Sequence, residues 1–556
     1  MVLRSLSGQT IENSQSDSSW ATPGKGVRRA ALGKRLRKLY FVVLFSLLLL
    51  GGATFVLRSF HAVHYQFGWD DDEGAVWWET AHVTDLRVFY HPIQQYPYIV
   101  VPYPPVYHLV ARGAAGITGD FLVGGRLVCV LSVLGISLIV GLLVFQASPR
   151  RISAGVRASG ALLAALLCFR LDSLNRYIPE MGVDTLALLI TVLGVFLFLH
   201  YAARPTGQYA AFACFVLALY TKQTMVAAPL ACLGASAILS PRRALRFLVF
   251  SVSLGLAVLG FLAWQTDGEV LRHVFVYNMK QPFSVTHWIG GIQENLIEMA
   301  PIAAIACLAL LPTVDRWTTV KRGLFIKWLR AGLESSPYRR AVLVLGMQLG
   351  FALLTSVTYG KLGSGFHYFL EWNLACCALS GLIFVRALAG WQPASRYTLG
   401  GAAVFLLLFL AALTGFPDSL RRINGVFRIT QGERRIQQEK SASDAAVLRI
   451  IEGTPGPVLC ENMVLAMKAH KEIPIEPGIG CFLARLSIWD QSDFVKMISS
   501  RRFEVIVIRD MDNGFWTDAI VEAIKKHYSL SERIGNQQIK DGYYVVYRPQ
   551  PKPVQP

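Results

Sequence analysis

Tyr40-Phe-Val-Val-Leu-Phe-Ser-Leu-Leu-Leu-Leu-Gly-Gly-Ala-Thr-Phe-Val-Leu57 carries no charge, and Trp69-Asp-Asp-Asp-Glu-Gly74 follows it with four consecutive carboxylates. As a helix rising 1.5 Å per residue, the first run reaches about 27 Å, nearly the thickness of a bilayer's hydrocarbon core. Ionised carboxylates beside that core are costly to desolvate, so an acid run there is expected to be functional or held by cations. The rest of the chain decides what surrounds it.

The chain has 556 residues, 53% of them hydrophobic and only 16% charged. Apolar runs recur at 127–145, 186–199, 248–264, 296–311, 341–357 and 399–413. Runs so long and so poor in charge read as spanning helices, which makes this a mainly α, polytopic membrane protein. The net charge of +18 first suggests nucleic acid. The cations fall elsewhere, in short alternate loops: Arg28 to Lys38, Arg150, Arg151 and Arg157, Arg242, Arg243 and Arg246, and Arg316 to Arg340. That is the positive-inside pattern, so a nucleic-acid partner is not expected.

From a cytoplasmic N-terminus, the roughly 20-residue rule gives about eleven spans. They are 40–57, 122–146, 158–170, 184–201, 208–220, 225–239, 247–265, 296–313, 341–358, 370–388 and 397–416. Residues 1–39 form a basic, disordered cytoplasmic tail, and the first apolar run is expected to act as a signal anchor. Residues 40–416 form the transmembrane domain, with a long first exported loop at 58–120. Residues 417–556 change character and read as a soluble exported α/β domain. Its expected strands are 503–508 and 543–547, its expected helices 443–452 and 515–527. The protein is thus expected in the inner (plasma) membrane with its C-terminal part in the periplasmic or extracellular space.

Seven cysteines, from Cys129 to Cys377, lie in or near spans and read as small apolar residues. Cys460 and Cys481 sit in the exported part, where they either pair or remain free. No CxxC pair or zinc-spaced His/Cys cluster is present.

Polar chemistry collects in the exported loops. After the acid run, the first loop carries Tyr90, His91, Tyr96, Tyr98, Tyr103, Pro104, Pro105, Tyr107 and His108. Its tyrosines suit either an aromatic belt at headgroup depth or sugar stacking, and 105–116 has helical periodicity suited to the interface plane. The second loop holds Asp172, Asn175, Arg176, Glu180 and Asp184. The third is Thr221-Lys222-Gln223-Thr224, whose lysine must either meet an anion or snorkel to the surface. A later loop holds Arg272, His273, Asn278, Lys280 and His287, and the last is glycine-rich around Lys361 and His367. Acids can act as general base or hold a divalent metal, cations can hold a phosphate leaving group, and aromatics suit sugar or lipid.

Asp72-Glu73-Gly74 in a long exported loop after one span resembles the GT-C glycosyltransferases. The likeness is to the branch of protein O-mannosyltransferases and lipid A aminoarabinose transferases. Pro104-Pro105-Val106-Tyr107, Gly124-Gly125-Arg126-Leu127, Asp184 with its following apolar run, Thr221 to Thr224 and Gly363 to Glu371 are similar to that branch's motifs. Gly182-Val183 departs from the Arg-Pro that often precedes the branch's Asp. The resemblance covers most of residues 27–416, and the C-terminal part is also like the exported tail of bacterial members.

The resemblance implies an inverting hexosyl- or pentosyltransferase that takes sugar from a polyprenyl-phosphate donor to an acceptor hydroxyl at the exported face. Asp72 would be the general base, and Glu73 would position the acceptor or help hold a metal. Lys222, with Arg126, Lys361 and His367, would bind the donor phosphate, while Tyr103, Tyr107 and Asp184 would meet acceptor or sugar. A divalent ion, Mg or Mn, would sit on Asp71, Asp72 and Glu73. Partners would be membrane lipid, the lipid-linked donor, and a glycan, lipid or protein acceptor. The rival class is a transporter or flippase of a lipid-linked or anionic substrate, and transporters usually bind at mid-membrane on broken helices. A polymerase or ligase of surface polysaccharide shares the donor but has no motif here.

Overall fold

The computed structural model describes residues 24–69, 72–171, 174, 180–314, 322–361, 363–390, 398–427, 431–509, 515–538 and 542–551. The chain divides into two compact units, 1–46 and 47–556. Helix α1 (Gly24–Val63) carries the opening apolar run. The first loop folds into α2 (Asp72–His82), α3 (Leu86–Phe89) and α4 (Val106–Thr118). Helix α4 realises the periodicity at 105–116 and stops at Gly119, which takes the left-handed φ of 75°. Asp120 then caps α5 (Phe121–Ala147), accepting a hydrogen bond from Val123 N at 3.0 Å.

The body continues through α6 (Ala154–Cys168), α7 (Asp184–His200), α8 (Pro205–Leu219), α9 (Ala227–Leu239) and α10 (Pro241–Gln265). Next come α11 (Val285–Val314), α12 (Arg322–Ser335), α13 (Pro337–Thr355), α14 (Leu370–Ala389) and α15 (Thr398–Thr414). Pro205, Pro241 and Pro337 each open their helix, where the missing N–H costs nothing. Among the described residues, seven helices are long and apolar enough to cross a membrane: Arg35–Val63, Phe121–Ala147, Pro241–Gln265, Val285–Leu310, Pro337–Gly360, Phe366–Ala389 and Gly401–Arg421. Four shorter apolar helices, α6 to α9, fall on the remaining expected segments.

After α16 (Phe416–Phe427) and α17 (Gln431–Glu452) comes a four-stranded sheet in the order β1-β2-β4-β3. Its strands are β1 (Val458–Cys460), β2 (Val505–Ile508), β3 (Tyr528–Gly535) and β4 (Tyr543–Pro549). Strands β1 and β2 are parallel, and the other pairs are antiparallel. Helices α18 (Met463–Lys468), α19 (Pro477–Arg485) and α20 (Ser492–Ser499) fill the crossover, and α21 (Asp518–His527) precedes β3.

Strand alternation sends the two faces of β2 into different cores. Val505 and Val507 pack with Trp78, Phe89 and Tyr90 of the first loop, whereas Ile506 and Ile508 pack with Tyr98, Trp489 and Phe494. Both cores therefore join the first loop to the C-terminal part, and Tyr98 also pairs with Ile475 through its backbone. Cys460 and Cys481 are free thiols, one in each of these cores.

Candidate active site

Neighbouring acids of the opening run meet opposite environments. Asp72 is exposed at the first turn of α2, while Glu73, about 100° further round the helix, is fully buried. Among the described residues, the Glu73 carboxylate receives four hydrogen bonds. Arg126 Nε donates to Oε1 at 2.8 Å and Nη2 to Oε2 at 2.6 Å, and the backbone N–H groups of Met181 and Trp69 each donate at 2.8 Å. Arg126 is equally buried, and its other N–H groups go to the carbonyls of Ala62, Tyr65 and Phe67 at 3.0, 2.6 and 2.7 Å.

The sequence reading gave Glu73 to acceptor or metal and Arg126 to the donor phosphate. The structure pairs them with each other: all five guanidinium N–H groups are engaged, and so are the carboxylate's four lone-pair sites. Gly124, two residues before Arg126, leaves no room for a side chain, since a Cβ there would lie 2.5 Å from Ala115 N of α4.

Of the residues expected to hold a metal ion, Glu73 is engaged by Arg126. Among the described residues no group of three or more His, Cys, Asp or Glu could hold an ion. Asp70, Asp71, Asp172, Asn175 and Arg176 lie outside the described residues.

The cationic half is built on the short Thr221–Thr224 connection. Lys222 is 1% exposed, so it does not snorkel; its ammonium donates to Asp184 at the start of α7. The same nitrogen lies 4.8 Å from the ring centre of Tyr368 and 5.6 Å from that of Tyr103. His367 stands within electrostatic reach of both Asp184 and Lys222. Gln223 Nε2 donates to Pro102 O at 3.0 Å, and Asn278 Nδ2 reaches the same carbonyl at 3.3 Å, which ties this loop to the stretch beside Tyr103. Lys361 Nζ approaches Asn278 O at 3.5 Å, and partial burial lowers its pKa.

Tyr103 joins the halves, because Asp184, Asp72 and Glu79 all act electrostatically on its phenol. Asp72 and the Lys222–Asp184 pair thus both lie within electrostatic range of Tyr103. Tyr107, expected to meet acceptor or sugar, is instead fully buried and donates to Gly125 O at 3.2 Å. It supports α5 from within the core.

Three supporting groups have no role assigned from the sequence. Glu79 lies two turns along α2 from Asp72, buried with His108 Nε2 3.2 Å from its carboxyl. Burial raises the Glu79 pKa well above its usual range, reinforced by Glu476 and Asp72, and lowers that of His108 to about 3. His273 accepts from Val101 N at 3.0 Å and meets His91 O at 2.8 Å, fixing the backbone two residues before Tyr103. Tyr368, inside the Gly363 to Glu371 stretch, is the third. The i, i+7 spacing of Asp72 and Glu79 was the one available signal.

No protein-family model and no curated protein matches the chain. Its fold is similar to that of ArnT from Cupriavidus metallidurans bound to undecaprenyl phosphate, with TM-score 0.56 and 13% identity over 91% of this chain and 98% of that one. The apo form of ArnT gives TM-score 0.54 and 14% identity over 93% and 98% of the two chains. The apo oligosaccharyltransferase from Archaeoglobus fulgidus gives TM-score 0.53 and 12% identity, covering 91% of this chain and 76% of that one. The likeness is one of fold alone, extending over the helical body and the C-terminal part together.

Proposed function

We propose that the protein is a multi-pass membrane glycosyltransferase that moves a sugar from a polyprenyl-phosphate donor to an acceptor hydroxyl on the exported face. The observation that carries this reading is Tyr103, with the Lys222 ammonium over its ring and both Asp72 and Asp184 within electrostatic reach. An exposed carboxylate and a buried cation, both within reach of one tyrosine, suit the two ends of a glycosyl transfer. That one fold neighbour was crystallised with undecaprenyl phosphate supports the choice of donor.

In this reading Asp72 accepts the proton of the acceptor hydroxyl as its oxygen attacks the anomeric carbon. The bond from that carbon to the phosphate oxygen breaks on the opposite face, and the polyprenyl phosphate leaves with the electron pair, which inverts the configuration. Lys222 stabilises the departing phosphate, with His367 and Lys361 beside it. Asp184 holds the ammonium in place before donor arrives. Glu73 and Arg126 take a positioning role: they lock the start of α2 against α5, and so set where Asp72 points.

The test supplies purified protein with labelled polyprenyl-phosphate sugars and scores release of the lipid phosphate. Wild type should turn over and Asp72→Asn should not. Equal release from both would remove Asp72 as base, and no release with any donor would favour the transporter class. Reporter fusions at residue 430 check orientation, since the proposal needs the C-terminal part outside.

A further inference from the structure

At the other end of the bundle, a cavity of ≈ 290 Å³ opens where α7 to α10 meet the α12–α13 hairpin. Phe198 on its wall is fourteen residues along α7 from Asp184, about 21 Å at 1.5 Å per residue. It is therefore separate from the proposed transfer site. Its polar lining is Gln208, Ser240, Arg243, Arg330, Glu334 and Arg340, with alanine and leucine side chains between them.

Two features of that lining are unsatisfied. The first is charge, since three arginines stand against one glutamate. Glu334 pairs with Arg330 at 3.1 Å, and among the described residues no carboxylate pairs with Arg243 or Arg340. Arg340 is anchored by Nε, which donates to Leu333 O at 2.7 Å. The second is a hydrogen bond. Gln208 is 3% exposed and its Nε2 donates to Phe198 O at 3.1 Å, but its Oε1 receives no donor. Buried carbonyl oxygens of this kind are normally paired.

We propose that this cavity binds a phosphate ester bearing a neighbouring hydroxyl. The phosphate lies against Arg243 and Arg340, and the hydroxyl donates to Gln208 Oε1. Arginine suits the phosphate because its fork matches two oxygens at once. The apolar walls accept the carbon framework between the two polar groups. A lipid headgroup of the phosphatidylglycerol type and a soluble glycerol phosphate share this chemistry.

Purified, delipidated full-length protein is titrated with phosphatidylglycerol, phosphatidylcholine, glycerol 3-phosphate and inorganic phosphate, and binding is read by native mass spectrometry and calorimetry. The hydroxyl-bearing anions should bind more tightly than phosphatidylcholine or inorganic phosphate. Arg243→Gln and Arg340→Gln should each weaken them by about tenfold, the loss of a charged hydrogen bond. Gln208→Leu should abolish the preference over inorganic phosphate. Binding of phosphatidylglycerol alone identifies a lipid, and equal binding of glycerol 3-phosphate identifies a soluble ester; either supports the site. Arg340→Gln also removes the contact to Leu333, so Arg243→Gln decides if that variant does not fold. Binding unchanged in Arg243→Gln, or no binding of either hydroxyl-bearing anion, overturns the proposal.

Discussion

Replacing Glu73 by glutamine should damage folding far more than chemistry, whereas Asp72→Asn should do the reverse. The amide of Glu73→Gln keeps the shape of the side chain but supplies one acceptor where the carboxylate supplies two. One of its ends then sets N–H against N–H, and the Arg126 charge loses its buried counter-charge. Breaking a buried pair by removing one partner costs about 3–5 kcal/mol. Arg126→Met strands the opposite charge and leaves the carbonyls of Ala62, Tyr65 and Phe67 without their donor, so it belongs in the same range. The double variant buries no charge. It should cost less than the sum of the singles by at least about 2 kcal/mol, as contacting residues do. Asp72 is exposed at the helix start, and its asparagine variant should stay within about 0.5 kcal/mol of wild type.

The assay is equilibrium unfolding of detergent-solubilised protein for the four variants, run beside lipid-phosphate release at a temperature where each is folded. If Glu73→Gln unfolds with wild type yet loses turnover as completely as Asp72→Asn, Glu73 belongs to the chemistry and the positioning role is wrong. Additive singles would show that the pair is not coupled.

Lys222→Met should lower release of the lipid phosphate by on the order of 10²–10³, and Lys222→Met with Asp184→Asn should recover stability without recovering turnover. Gly74→Ala would put a Cβ 2.6 Å from Met463 Cβ and 2.8 Å from Val464 N, so α2 or α18 must move; a loss of about 1–3 kcal/mol is expected, read by unfolding midpoint. With the Glu79 pKa raised and that of His108 near 3, the folded pair keeps one proton over a wide pH range. Stability should fall below pH 4.5, where the unfolded chain binds a second proton, and above pH 6.5, where it has released both, by up to about 1.4 kcal/mol per pH unit. In a stability–pH profile, Glu79→Gln should abolish the upper decline and move the start of the acid-side decline up to about pH 6.5, where the unfolded His108 begins to bind its proton.

The helical body was legible because each apolar run carries its own signal: length without charge needs no partner to be read. The expected strands at 503–508 and 543–547 came through as β2 and β4 for a similar reason, since alternating β-branched and aromatic residues mark a strand locally. What could not be read was pairing across distance. Glu73 and Arg126 are 53 residues apart, and nothing local says that one satisfies the other. The same holds for Lys222, which the sequence left between an anion and the surface, and for which Asp184 is the answer. The shared cores of the first loop and the C-terminal part were equally hidden, because hydrophobicity records that a residue is buried but not against what.

That hidden sharing bears on the acid run itself. Helix α2 is held on three sides: by Arg126 from α5, by Met463 of α18 against Gly74, and by Val507 and Val546 of the sheet near Trp78. A helix beginning at an exposed carboxylate would otherwise fray at its first turn, where backbone N–H groups lack partners. Here the second residue of the helix is its most firmly anchored, so the first is displayed at the surface with little freedom to wander. A base must meet a hydroxyl within hydrogen-bond reach to be useful, and freedom at that atom lowers the fraction of time it does. The buried neighbour thus has a reason to be charged rather than apolar: only a carboxylate can take four donors from α5, the Met181 backbone and the Trp69 backbone at once, and so hold α2 to all of them.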